Sequence, residues 1–116
     1  MLFKERYSFE QRKDESRKIM DKYKNRYPII CESNIQDEFK KIKKKFLVSS
    51  DLKVGQFLFL IRKKLEIKDP SIALFFFFEN GIIPNSLSMF MEIYDDNKNA
   101  DGFLYMKYGG ENTFGK

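Results

Sequence analysis

The apolar positions of the chain are spaced so that helical and extended stretches alternate. Residues 9–23 carry charge on most sides and a sparse apolar set, Ile19, Met20 and Tyr23, at helical spacing. Ser8 stands where an N-cap belongs, so a polar surface helix is predicted. "RYPIICE" and "FLVS", the latter at 46–49, are short extended runs separated by a long polar connection, and they read as two strands. "SSDLKVGQFLFLIRKKL" offers Ser50 or Asp51 as the cap of a further helix that ends before Pro70. Val54, Leu58, Ile61 and Leu65 form one core-facing stripe on it, with Phe57 and Leu60 off the stripe. Apolar side chains on a second face imply a second cover, supplied by the chain's own segments or by something that binds.

"ALFFFFENGII" is a continuous apolar run of the kind that a strand buried on both faces shows, and Asn80-Gly81 favours a tight hairpin after it. Beyond Pro84, "NSLSMFMEIY" is predicted as a short helix capped at Asn85 or Ser86, and "GFLYMKY" as the last strand. The order is a helical N-terminus followed by ββαβ(α)β. It predicts an α+β domain with one main helix packed on a small mixed sheet, as in the ubiquitin-like β-grasp.

Composition narrows the function classes. A chain of 116 residues forms one domain, and 42% hydrophobic against 34% charged residues describes an ordered globule whose apolar area comes largely from 13 Phe. The single cysteine, Cys31, excludes an intrachain disulfide framework and fits a reducing compartment. No stretch reaches the length of a membrane span and the start lacks the apolar run of a signal peptide, so a cytoplasmic location is expected. With no His, no metal-ligand cluster and no Gly-rich phosphate loop, neither catalysis nor a cofactor is expected. Cys31, inside an apolar strand, reads as a small buried hydrophobe. The net charge of +5 points to acidic partners. Residues 1–27 hold nine basic against five acidic side chains, and "KKIKKK" at 40–45 is the one dense run.

"KYKNRYPIICE", "KKKFLVSSDLKVGQFLFLIRKKL", "ALFFFFENGIIP" and "DGFLYMKYGGENTFGK" resemble the autophagy-related ubiquitin-like modifiers, the family that includes the GABA receptor-associated protein, from about Phe3 to Lys116. The resemblance implies two added N-terminal helices over 1–26, a β-grasp core over 27–108 and a flexible conjugation tail over 109–116. In that tail Gly109 and Gly110 would free the chain from the sheet, and Phe114 would anchor it in an enzyme's cleft. A cysteine protease would cut after Gly115, removing Lys116, and ATP-dependent activating and conjugating enzymes would join Gly115 to phosphatidylethanolamine. The lipid, a covalent modification and not a cofactor, would anchor the protein on autophagosome membranes.

The family also reads short aromatic-x-x-aliphatic motifs in its receptors as an added strand. Carried onto this chain, the resemblance implies an aromatic pocket of Glu15, Ile19, Pro28, Ile30, Lys45, Leu47 and Phe103. An aliphatic pocket would use Phe46, Val48, Leu52, Phe57 and Leu60, and Arg26, Lys43, Lys45 and Arg62 would meet acidic residues flanking the motif. Three features depart from the family pattern: Ser49 in place of the usual Pro, few matches from Ser33 to Ile42, and an extra residue with an unusual Phe90 in "SMFMEIYDD". The alternative is a non-conjugated basic β-grasp domain that binds an acidic protein or nucleic acid. Under the family reading nucleic acid is not expected as a partner.

Overall fold

The computed structural model describes residues 1–33 and 42–110. Among these, four strands make one sheet: β1 (Arg26–Ser33), β2 (Lys45–Ser49), β3 (Leu74–Phe78) and β4 (Leu104–Gly110), in the order β2-β1-β4-β3. The central pair β1 and β4 is parallel, and β2 and β3 flank it antiparallel. Strand alternation sends Ile29, Cys31, Leu104 and Met106 to one face, where they pack with Val54, Phe57 and Ile61 of helix α3 (Val54–Lys64). Ile30, Phe103 and Tyr105 point to the other face and pack with Phe3 of α1 (Phe3–Arg6) and Ile19 of α2 (Phe9–Lys22). The order and class of elements agree with the α+β expectation.

Local chemistry explains where the helices start. The Ser8 hydroxyl accepts from the Gln11 amide and the Gln11 side chain accepts from the Ser8 amide, a reciprocal cap that opens α2 as expected. The main helix begins at Val54 rather than after Ser50 or Asp51. The preceding residues are used elsewhere: Ser50 N–H donates to Asn25 and Leu52 N–H closes a turn on Ser49. Gln56 then reaches back to the Lys53 amide. The short helix α4 (Phe90–Asn97) likewise starts later than Asn85 or Ser86, because the carbonyls of Ser86 and Ser88 accept from Gly55 and Val54 of α3.

The structure departs from expectation in packing and pairing at four places. Phe57, placed off the stripe, is 2% exposed at the centre of the core, with Phe46, Phe76 and Phe90 rings 5.3, 5.4 and 5.6 Å away. The stripe that faces the sheet is Val54, Phe57, Ile61 and Leu65, and Leu58 sits at its margin. The strand in "ALFFFF" is not buried on both faces. β3 is a sheet edge on which Leu74, Phe76 and Phe78 are buried and Phe75 and Phe77 half-buried. The Asn80-Gly81 turn forms, with Gly81 at φ 86 and Phe78 bonded to Ile82, but the strand that pairs with β3 is β4. Phe90, the unusual residue of the 86–96 region, belongs to the core. Gly109 and Gly110 do not release the chain from the sheet: they are the last residues of β4, paired with Phe75 and Leu74. The tail beyond them, with Phe114, Gly115 and Lys116, lies outside the described residues.

The helical pair is tied to the sheet by a buried carboxylate. Asp101, 0% exposed, accepts from Arg12 Nε at 2.9 Å, from the Phe103 amide at 2.8 Å and from the Tyr105 hydroxyl. The Arg12 guanidinium also donates to the carbonyls of Lys4 and Tyr7, so one side chain fixes α1, α2 and the sheet together. Ser16 of α2 donates to the Asp101 carbonyl, and a Cβ added at Gly102 would fall 2.3 Å from the Ser16 Oγ, at a φ of +94 that itself favours glycine. At the other end of α1, Glu32 accepts from the Phe3 amide at 2.8 Å and pairs with Lys44. Burial, then the hydrogen bond to Asp101, pushes the Tyr105 phenol far above its usual range.

Removing one partner of the buried pair leaves a charge without compensation, so Arg12→Ala is expected to cost about 3 kcal/mol or more in urea unfolding. Gly102→Ala is expected to destabilise through the clash with Ser16. Burial raises the phenols of Tyr94 and Tyr108 from 10.0 to about 12. Between those values the folded state binds more protons than the unfolded one, so rising pH removes stability there. Urea midpoints should therefore hold steady up to about pH 9 and fall as pH rises beyond about 10.

Candidate functional site

Strand β2 is a sheet edge, and its backbone alternates in what it offers. Cys31 N–H donates to the Lys44 carbonyl at 2.7 Å and Ser50 N–H to the Asn25 carbonyl at 2.9 Å, at the two ends of the β1/β2 ladder. Antiparallel pairing then turns the backbone groups of Phe46 and Val48 inward and those of Lys45, Leu47 and Ser49 outward. A row of outward N–H and C=O groups is a template for another strand.

The side chains alternate as well, and this splits the expected site residues between two faces. Lys45 and Leu47 share the α2 face with their cross-strand partners Ile30 and Pro28. Ile19 packs there with Ile30 and Phe103, and the Lys45 ammonium pairs with Glu15 of α2 across the mouth. The structure therefore brings Glu15, Ile19, Pro28, Ile30, Lys45, Leu47 and Phe103 together. Ile30, Pro28 and Phe103 are fully buried and form the floor, and half-buried Leu47 is the apolar side chain nearest the open edge.

On the α3 face Phe46, Val48 and Phe57 are core residues. Leu52 is half-buried against that core, and Leu60 of α3 is 45% exposed. Of the four expected cations, exposed Arg26 and Lys43 lie at opposite ends of the ladder, with the Lys43 ammonium 5.1 Å from the Phe46 ring centre. Arg62 is engaged elsewhere: its guanidinium donates to the carbonyls of Ile72 and Asp69, clamping the loop after α3. Neither local pattern nor spacing pointed to Phe3 and Tyr105. Phe3 closes the aromatic pocket from behind, its ring 5.2 Å from Phe103. Periodicity cannot find such a contact, because it joins residues a hundred positions apart.

Cys31 is buried, and burial followed by the charge of Glu32 pushes its thiol well above the usual value. A thiol held neutral in a dry core is a poor nucleophile. Among the described residues no helix is long and apolar enough to cross a membrane.

A parallel central strand pair flanked antiparallel on both sides, one main helix across one face and two N-terminal helices on the other, together define an α+β ubiquitin-like protein. Residues 11–115 match the family described as autophagy protein Atg8, ubiquitin like. The chain belongs to that family. It is 47% identical over 114 residues to autophagy-related protein 8 of Schizosaccharomyces pombe, covering 97% of this chain and 93% of that one. With autophagy-related protein 8 of Saccharomyces cerevisiae it shares 45% identity over 115 residues, 98% of this chain and 97% of the relative. Among solved structures, Trypanosoma brucei ATG8 superposes with a TM-score of 0.84 at 38% identity, over 94% of this chain and 93% of that one. Plasmodium falciparum Atg8, solved in complex with a P. falciparum Atg3 peptide, gives 0.81 at 31% identity over 94% and 95%. The protein is a ubiquitin-like modifier of autophagy.

Two outcomes follow from the site's geometry. Cys31 should stay unreactive toward an aromatic disulfide reagent in the native protein and react once urea unfolds it. The Lys45 and Glu15 pair is partly exposed, so Lys45→Met should change unfolding stability by no more than about 1 kcal/mol.

Proposed function

We propose that the chain is processed at Gly115, joined there to phosphatidylethanolamine, and used on autophagosome membranes as a docking platform for receptors bearing aromatic-x-x-aliphatic motifs. The observation that carries the docking half is the open edge of β2, with apolar side chains of α2 on one sheet face and of α3 on the other. In an added strand, residues three apart point to opposite faces, because side-chain direction alternates with a period of two. An aromatic anchor in the pocket between α2 and β2 therefore places an aliphatic residue three positions later in the pocket between β2 and α3. Lys45 lies at one end of the aromatic pocket and Val48 in the aliphatic one, so the peptide runs parallel to β2. The Atg3 peptide held by the Plasmodium relative supports a partner among conjugating enzymes.

The conjugation half is supported by the family match, which extends through residue 115. A cysteine protease hydrolyses the Gly115–Lys116 amide. The freed carboxylate is activated with ATP as an adenylate, passed to enzyme cysteines as thioesters, and attacked by the lipid amine with release of the thiol. The enzymes, ATP and the lipid bring every reactive group except the Gly115 carboxylate, in keeping with the inert Cys31 and the absence of His in the chain. Two acyl chains hold a protein on a bilayer far more firmly than a basic surface does, since each buried CH₂ contributes about 0.8 kcal/mol. The unconjugated protein would be cytoplasmic.

Leu47→Ala should weaken a motif peptide about tenfold or more, the usual cost of losing a central apolar anchor. Fluorescence anisotropy reads this, and unchanged affinity in a folded variant would overturn the docking site. Gly115→Ala should block both processing and lipidation. Deletion of Lys116 should bypass only the first cut, and Lys116→Ala should be close to silent. Mass spectrometry of the mature protein checks all three: a chain still ending in Lys116 under active autophagy, without a lipid adduct, would refute the conjugation reading.

A further inference from the structure

The open edge of β2 ends asymmetrically at Ser49. Bonds toward β1 fall on even-numbered residues: Cys31 N–H donates to the Lys44 carbonyl and Ser50 N–H to the Asn25 carbonyl, at the two limits of the register. Alternation therefore turns the N–H groups of Lys45, Leu47 and Ser49 away from β1. The carbonyls do not keep pace with that row. The Ser49 carbonyl accepts from the Leu52 N–H at 3.1 Å, in the turn that follows the strand. The Ser50 and Leu52 carbonyls then accept from the amides of Met91 and Phe90, which fixes the next residues to α4. The outward row thus ends on a donor, the Ser49 N–H, whose own carbonyl is already bonded.

We propose that the Ser49 N–H is a further binding group of this edge, donating to the backbone carbonyl of the aliphatic anchor in a docked aromatic-x-x-aliphatic strand. The proposal rests on the docking reading above and deepens it by naming the group that holds the anchor's main chain. Register assigns the bond. In a parallel pair each outward residue donates to the carbonyl of the residue before its aligned neighbour and accepts from the amide of the residue after it. With the aromatic residue level with Lys45, its second successor is level with Leu47 and its fourth with Ser49. The Leu47 carbonyl then accepts from the amide of the aliphatic anchor, and the Ser49 N–H donates to that anchor's carbonyl. Both peptide units of the anchor are held, and its side chain is aimed at α3 from both sides.

The same geometry says which partners gain. Only the N–H of residue 49 is used, so Ala in its place serves and Pro does not. Ser49 stands where the family's usual residue is Pro, so the bond belongs to this chain's departure from that pattern. Pairing also stops here, because an amide two positions past the anchor meets a carbonyl that Leu52 already occupies. A partner whose chain stays extended through the residue after the anchor presents the carbonyl to Ser49. One that enters a helix at the anchor commits the carbonyl to its own helical bond and forfeits the contact.

The test measures fluorescence anisotropy with two synthetic peptides of one aromatic-x-x-aliphatic sequence. One ends in leucine amide, and the other ends in an isopentylamide, which keeps the leucine side chain and lacks the carbonyl. The wild-type chain is expected to bind the leucine amide peptide about fivefold more tightly, the usual worth of one net hydrogen bond. Ser49→Ala should keep that ratio, and Ser49→Pro should bring it close to one. Proline is tolerated on an edge strand where its nitrogen faces outward, so the variant is expected to fold. A ratio near one in the wild type, or an undiminished ratio in Ser49→Pro, overturns the proposal. A second measurement needs no variant: hydrogen exchange at the Ser49 amide, followed by NMR, should slow with the leucine amide peptide bound and not with the isopentylamide. Equal exchange with both peptides overturns the proposal as well. If the leucine amide peptide fails to bind the wild type, or binds without dependence on Leu47, the docking reading falls and this one with it. If it binds in a Leu47-dependent way and removing the carbonyl changes nothing, this proposal alone falls.

Discussion

The buried carboxylate of Asp101 holds together the two layers from which the site is made. Its oxygens accept from a guanidinium, a phenol and a backbone amide in a position closed to water. A charge so placed is tolerable only while all its partners remain, because desolvation of a carboxylate is expensive and is offset by close donors alone. Arg12 meets that requirement from α2 and, through its other nitrogens, holds the end of α1. Glu15 and Ile19, which wall the aromatic pocket, are on the same helix one and two turns later. The α2 face opposite β2 is therefore held against the sheet by an ion pair some distance away.

The rest of the site follows from the pleat. A strand has two faces and two edges, and β2 has one edge paired with β1 and one open. Helices on both faces of the sheet give the open edge a groove on each side. A ligand strand must then present anchors at odd spacing to fill both grooves. Exposure is uneven along this edge: Phe46, Val48 and Phe57 are core side chains, while Leu47 and Leu52 are half-buried and Leu60 is exposed. Specificity can therefore be set by a few rim residues without disturbing the fold.

Much of the fold was legible from periodicity and capping. The Ser8 cap, the strands in "RYPIICE" and "FLVS", and the mixed order of elements all come from local preference reinforced by packing. Helix starts at Val54 and Phe90 were misplaced by several residues because carbonyls of the 86–88 segment bond to amides of α3, a non-local match that no cap signal carries. Phe57 was set off the stripe because two staggered rows fit the same apolar positions. Only the sheet beneath chooses between them. Gly109 and Gly110, flexible by composition, are held by β3.

The sequence by itself determined the element types, the class of fold and, through the quoted motifs, the family, since these depend on spacing and on residue identity along the chain. It also carried the composition that makes Cys31 the sole thiol and leaves His out. The tertiary structure alone decided that β2 would be an edge, that Lys45 would reach Glu15, and that Arg62 would be spent on a loop. The physical reason is the same in each case. These relations join residues distant in sequence, and their geometry is set by which strands pair and which faces the helices cover.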